Sequence, residues 1–141
     1  MRSQSRQGGF TLIELVVVIT ILGILAAFAV PRFVSLEVQA RTAAVQALAG
    51  SLRSSAALSH SLWLAQGQPP NVTMEGQSIV MVNGYPDLAT IDDSLADSSG
   101  FTYAPGTGVF QKTGVTGNCM ATYAQAVAGG APGVTVDVTG C

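Results

Sequence analysis

Apolar residues are concentrated near the start of the chain. Residues 10–30 read FTLIELVVVITILGILAAFAV, a nearly continuous hydrophobic run. Four residues interrupt it: Thr11, Glu14, Thr20 and Gly23. A helix of about 20 such residues spans a bilayer. The pattern therefore predicts a membrane-spanning helix over residues 10–30.

A second helical pattern follows Pro31. Apolar residues recur there every four positions, which is typical of an amphipathic helix. They are Leu36, Ala40, Ala44, Leu48, Leu52 and Ala56. Pro31 lacks a backbone N–H, so we predict a kink or an interruption there. The pattern extends the helical region over residues 31–65, and Gly67 with the following Pro69–Pro70 ends it.

The composition changes after this helix. Residues 66–141 are rich in Gly, Thr, Val and Asp, and short β-type runs alternate with turns. Strands are predicted at 72–74, 78–82, 101–103, 109–110, 119–125 and 134–138, and a short helical turn within 87–98. The expected fold is α+β, with a small antiparallel sheet packed on the second half of a long helix. A helix of about 55 residues is roughly 80 Å long, so its first half should protrude.

Composition and charge argue against several functions. Of 141 residues only 10% are charged, and six Lys and Arg oppose eight Asp and Glu, for a net charge of −2. This balance argues against nucleic-acid binding, because phosphate contacts require clustered cations. One His and two Cys leave little material for a metal centre or a catalytic set. We therefore expect a structural protein with no cofactor, no metal ion and no enzymatic activity.

The residues before the hydrophobic run suggest its orientation. Arg2 and Arg6 provide the positive flank that is typical of the cytoplasmic side of a membrane. A secretory signal carries its small-residue cleavage site after the apolar core, whereas Gly8 and Gly9 precede it here. Cleavage after Gly9 would keep the hydrophobic helix in the mature chain. An uncleaved signal anchor is the alternative.

Glu14 is unusual because it lies inside the apolar run. A carboxylate within a bilayer costs about 2.5–3.5 kcal/mol on insertion scales unless it is paired. The nearest cation within the helix is Arg32, about 27 Å away along the axis. Glu14 is thus either protonated or snorkelling near the membrane edge, or neutralised by another molecule.

These residues match a known family. The segment GGFTLIELVVVITILGILAAFAVPRF resembles the amino-terminal signature of type IV prepilins. The resemblance implies that a prepilin peptidase removes residues 1–9 by cutting after Gly9, and methylates the new amino terminus at Phe10. It also implies that Glu14 pairs with the terminal amine of a neighbouring copy. The partners implied are therefore the peptidase, the inner-membrane assembly machinery and the chain itself, in a helical homopolymer.

The head suggests a subgroup of this family. VNGYPDLATIDDSL and NCMATYAQA…VTVDVTGC are similar to the heads of mannose-sensitive haemagglutinin-type pilins. This resemblance implies a major pilus subunit that starts in the inner membrane and ends in a surface filament for adhesion and biofilm formation. It leaves the receptor or surface undefined. A type II secretion pseudopilin and a minor, priming pilin share the amino-terminal signature and remain alternatives.

The two cysteines lie in the predicted head. With the amino terminus cytoplasmic, the head of a pilin-like chain lies in an oxidising compartment, where a cysteine pair forms a disulfide. We therefore expect Cys119 to bond Cys141. Free thiols or a metal pair are the alternatives.

Overall fold

A long helix dominates the chain. The computed structural model describes residues 9–141, and the expectations for Arg2 and Arg6 lie outside this range. The helix, α1, is a single element over Leu12–Ala65. It is not interrupted at Pro31, which lies inside it. The kink at this proline stays a prediction.

The chain divides into two units, residues 1–37 and 38–141. In the described part of the first unit, every residue from 9 to 37 is exposed within the chain. The most apolar 18 residues of α1 have a mean hydropathy of 2.8, and none of them is buried. By length and composition this stretch can cross a membrane.

In the second unit, α1 contributes one face to a core. Its buried residues are Val45, Leu48, Ala49, Leu52, Ser55, Ala56 and Ser59. The predicted stripe is right for its last three positions but wrong for Leu36 and Ala40, which are exposed. A strict four-residue spacing drifts around a helix of 3.6 residues per turn, so it cannot stay on one face over this length.

Two antiparallel sheets follow α1 in sequence order. The first contains β1 (Asn71–Met74), β2 (Gln77–Val82) and β3 (Tyr85–Pro86). The second contains β4 (Phe101–Ala104), β5 (Val109–Lys112), β6 (Met120–Ala124) and β7 (Gly133–Asp137). The predicted helical turn is a 3₁₀ turn at Asp92–Ser94. The α+β class is confirmed, with two small sheets in place of the single sheet that we expected.

The larger core cluster joins α1 to the four-stranded sheet. Leu52, Ile91, Phe110 and Tyr123 are almost completely buried in it. The Tyr123 hydroxyl donates a 2.8 Å hydrogen bond to the Pro86 carbonyl, which satisfies its polar atom. This bond links the strand β6 to the end of the smaller sheet.

One glycine is required by close approach of the backbone. Gly108 has φ +74°, and a Cβ at this position would lie 2.0 Å from the Tyr123 carbonyl oxygen. The Tyr123 N–H donates to the Gly108 carbonyl at 2.8 Å. Only glycine combines this backbone conformation with so little space.

Candidate assembly site

Thr11 and Glu14 cap the start of α1. The Thr11 backbone N–H and hydroxyl donate to Glu14 Oε2 at 2.8 and 2.7 Å. In return, the Glu14 backbone N–H donates to the Thr11 hydroxyl at 3.3 Å. This reciprocal pattern is a capping box, which satisfies backbone donors that a helix start otherwise leaves unpaired.

The capping box changes the interpretation of Glu14. The apolar run alone offers its carboxylate no cation, but Thr-x-x-Glu ahead of such a run is the sequence signature of a cap. Both hydrogen bonds end on Oε2. Within residues 9–141, Oε1 accepts no hydrogen bond, so half of the carboxylate remains available to a cation from outside the chain.

Glu14 lies beside an exposed apolar surface. It lines a shallow recess of about 360 Å³ with Phe10, Ile13, Val17 and Val18. Phe10 is 90% exposed. The structure thus brings Phe10 and Glu14, two of the predicted site residues, to one face at the start of the helix, and leaves Gly9 exposed just before them.

The cysteine pair forms a disulfide, as predicted. Cys119 and Cys141 are bonded through their sulfur atoms. Cys119 is fully buried and Cys141 nearly so. The Gly140 N–H donates to the Asn118 carbonyl at 2.8 Å, so a backbone hydrogen bond runs beside the disulfide. Residues 119–141 are therefore closed into a loop that contains β6 and β7.

Two arginines of α1 hold this loop against the helix. Arg41 Nη1 donates to the Cys141 carbonyl at 3.1 Å, and Arg53 Nη2 donates to the Val134 carbonyl at 2.9 Å. No pattern near either arginine predicts this role from the sequence, because the accepting carbonyls lie far along the chain. These two cations act within their own head.

Comparison with known proteins identifies the amino-terminal segment. Residues 4–30 match a family described as "Prokaryotic N-terminal methylation motif". A stretch of 53 residues is 58% identical to the type IV narrow pilus major component PilA5 of Thermus thermophilus. The chain has a type IV prepilin amino-terminal segment. No solved structure shows a significant match to the chain.

The similarity covers a part of each protein. It extends over 38% of this chain and 46% of the Thermus relative, so the chain spans about half the length of the curated relative that it matches. The similarity to known proteins is therefore limited to the prepilin segment. The contacts within the head are the basis for its description.

His60 has a structural environment in the head. Its ring stacks on Tyr85 with centroids 4.3 Å apart and an interplanar angle of 7°. Its Nδ1 lies 2.7 Å from the Gly84 carbonyl oxygen. The hydroxyls of Ser59 and Ser61 donate to backbone carbonyls of α1. Neither serine uses His60 as a base, which a nucleophilic serine requires.

The acidic residues 92–97 differ from one another. Asp93 and Asp97 are exposed, but Asp92 is half-buried, and its Oδ1 is buried without a hydrogen-bond partner in residues 9–141. Burial raises the pKa of Asp92, with the nearby charge of Asp93 as a further cause. In the part of the chain that the structure describes, no three His, Cys, Asp or Glu residues group as metal ligands.

Asp92→Asn is expected to stabilise the head near neutral pH. A carboxyl whose pKa is raised on folding contributes less stability as pH rises from its unfolded pKa of about 3.9 through the higher folded value. The amide cannot ionise, so the variant avoids the cost of a half-buried carboxylate and its melting temperature near pH 7 should exceed that of the wild type. Near about pH 3, where the carboxyl is protonated, the two melting temperatures should be equal. Thermal unfolding of the detergent-solubilised protein at both pH values measures it.

Asp93→Asn is the matched control, because it removes the same charge from an exposed neighbour. It should shift the melting temperature less than Asp92→Asn. A lower melting temperature for Asp92→Asn than for the wild type near neutral pH would contradict the prediction, because it would show that the Asp92 carboxylate stabilises the folded head.

Proposed function

We propose that the protein is the major structural subunit of a type IV pilus and polymerises through its amino-terminal helix. The observation that carries this proposal is the exposure of every residue from 12 to 37 of α1, a helix whose first part lies within the matched methylation motif. A long exposed helix that is this rich in apolar residues must be surrounded either by lipid or by other copies. A subunit that moves from a membrane into a filament meets both conditions.

Processing comes first in this proposal. Prepilin peptidase cuts after Gly9 and methylates the amino group of Phe10. Before cleavage the chain is anchored in the inner membrane by residues 10–30, with its leader in the cytoplasm and its head outside. Assembly machinery in the same membrane then adds the subunit to the growing filament.

Glu14 sets the register between copies. The cleaved Phe10 carries a positive amine, and Glu14 Oε1 of the adjacent copy is free to accept it. Pairing removes the cost of a lone carboxylate in an apolar environment. The contact joins two different surfaces, so it is heterologous and does not close, which generates a helical polymer.

We assign the filament to the mannose-sensitive haemagglutinin-like group, with adhesion and biofilm formation as its roles. The head segments that resemble this group are residues 82–95, which include β3, and residues 118–141, which include the disulfide-closed loop. A receptor or surface would contact the head. A type II secretion pseudopilin or a minor pilin is the competing function, since either shares the same helix.

Intact mass spectrometry of material sheared from cells tests this function. The expected species lacks residues 1–9, is heavier by one methyl group, and gains two hydrogens on reduction. Its dominance in the sheared fraction supports a major pilus subunit. Processed protein found in membranes but absent from sheared material would instead indicate a pseudopilin or a minor pilin.

Gly9→Leu is expected to block leader removal. Nothing in residues 9–141 lies within 4 Å of a Cβ added at Gly9, so the leucine causes no clash within the chain. A defect must then come from recognition by the peptidase. Mass spectrometry of membrane fractions should show the full-length chain in place of the mature form.

Gly23→Ala serves as the control, because a Cβ at Gly23 also meets open space but lies far from the cleavage position. It should be processed normally. Finding the mature form in the Gly9→Leu strain would refute cleavage after Gly9.

A further inference from the structure

An open groove runs along α1 in the head. It lies between the helix, the β1–β2 turn and residues 93–97, and has a volume of about 640 Å³. Its floor is formed by small residues that lie on one face of α1: Ala47, Gly50, Ser51 and Ser54. Leu58 extends the same face and is 60% exposed. This part of α1 is therefore left uncovered by both sheets. We call this surface the acidic groove, for the reason that follows.

The rim of the acidic groove is negative. It carries Glu75, Asp93 and Asp97, and no lysine or arginine is among its lining residues. The Ser99 backbone N–H and hydroxyl donate to Asp97, which lowers the pKa of that carboxyl and keeps it ionised. The sequence from residue 66 onward holds six acidic residues against the single Lys112. The head therefore provides little positive charge of its own to balance the rim.

Three of the four cations in residues 9–141 are already engaged within the head. Arg41 and Arg53 donate to the carbonyls of Cys141 and Val134. Lys112 Nζ donates to the Gly100 carbonyl at 2.8 Å and lies 4.9 Å from the centre of the Phe101 ring. These three cations are not available to a neighbouring molecule without loss of an internal contact.

Arg32 is different. It is exposed, and its guanidinium donates no hydrogen bond within residues 9–141. Leu36 lies one turn further along the same face of α1 and is 57% exposed. Arg32 and Leu36 together present a cation beside an apolar side chain.

We propose that the acidic groove of one subunit receives the Arg32–Leu36 face of a second copy in the filament. The guanidinium meets the rim carboxylates, foremost Asp93, which accepts no hydrogen bond within the described chain. Leu36 packs on the apolar side chains of Leu58 and Leu95, which line the groove. This contact rests on the proposed filament function and adds a head-to-helix contact to the Glu14 contact between helix starts.

The groove is matched to this occupant in size and in charge. A volume of about 640 Å³ is large enough for an arginine and a leucine side chain together. Electrostatic complementarity of this kind fixes register and rejects wrong neighbours more than it adds affinity. The apolar side chains of Leu58 and Leu95 supply contact area that the ion pair alone lacks.

A charge swap tests the contact in cells. Asp93→Arg and Arg32→Asp are each expected to lower the yield of sheared filament at least about fivefold, because like charges then meet at every repeat. The double variant restores the opposite signs and should recover at least about half of the wild-type yield. Normal yields from both single variants, or no recovery in the double variant, would overturn the proposal.

Cross-linking tests the same contact directly. Arg32→Cys combined with Asp93→Cys should give disulfide-linked ladders in filaments, because the structure shows no free cysteine in residues 9–141. Arg32→Cys combined with Asp137→Cys is the matched control, since Asp137 lies outside the groove. Equal ladders from both pairs would show that the contact is not specific.

Two further readouts separate the possible failures. Absence of the protein from sheared wild-type material would refute the proposed function, whereas normal filaments in every charge variant refute the groove contact alone. A chelator that removes filaments, together with a double variant that does not recover, would assign the rim to a divalent cation and overturn the contact. The processed mass, measured in each variant, shows that membrane insertion and cleavage are intact.

Discussion

Replacing Glu14 by alanine is expected to leave the protein inserted and processed while lowering the filament yield at least about tenfold, which corresponds to about 1.4 kcal/mol. Insertion should not suffer, because the substitution removes a carboxylate that costs about 2.5–3.5 kcal/mol in a bilayer. Assembly should suffer, because the Phe10 amine of the adjacent copy loses its partner. Filament yield is measured in the sheared fraction and insertion in membranes.

Two matched variants separate the roles of this carboxylate. Glu14→Gln keeps a side chain that can complete the capping box with Thr11 but removes the charge. Thr11→Ala removes the cap and keeps the charge. We expect Glu14→Gln to fail like Glu14→Ala, and Thr11→Ala to assemble close to normal yield. Normal filaments from Glu14→Gln would mean that Glu14 only caps the helix.

Replacing both Cys119 and Cys141 by serine is expected to lower the free energy of unfolding of the head by about 3 kcal/mol. In the chain-entropy description this is the contribution of a loop of this length, since the two residues are 22 positions apart. The helix contacts of Arg41 and Arg53 end on the same loop, so they should weaken with it. Urea unfolding of the detergent-solubilised protein, followed by Trp63 fluorescence, gives the difference.

Trp63 is a suitable probe because it is the only tryptophan and packs beside the cluster of the smaller sheet, away from the disulfide. Reduction of the wild-type protein should lower its stability by a similar amount, which separates the loss of the bond from the loss of sulfur packing. Val127→Ala, at a highly exposed position of the same loop, is the control and should change little. A loss below about 1 kcal/mol would contradict the entropic account.

The elements of this fold follow closely from local patterns. The predicted helix extends over the range found for α1, with its end at Ala65 in both. Five of the six predicted strands begin and end within one residue of observed ones, and the sixth, 109–110, extends two residues further to Lys112. β3 was missed because it is two residues long and contains Pro86, which cannot donate to a ladder.

The packing of these elements was harder to predict. The single sheet expected from the strands is divided into two, since pairing stops after β3 and starts again at β4. The four-residue stripe misplaced Leu36 and Ala40, because only the geometry of a helix against its sheets selects the buried face. The bond between Thr11 and Glu14, in contrast, is local, and the Thr-x-x-Glu capping signature predicts it from the sequence.

The sequence by itself determined the long apolar helix, the acid at its start, the methylation-type segment and the cysteine pair. Each of these depends on composition or on spacing within a few residues, where hydropathy and backbone chemistry act directly. Tertiary structure alone decided the bonds from Arg41 and Arg53 to distant carbonyls, the half-burial of Asp92 and the acidic groove. These features join residues far apart in the chain, and only the packing of sheets on α1 brings them together.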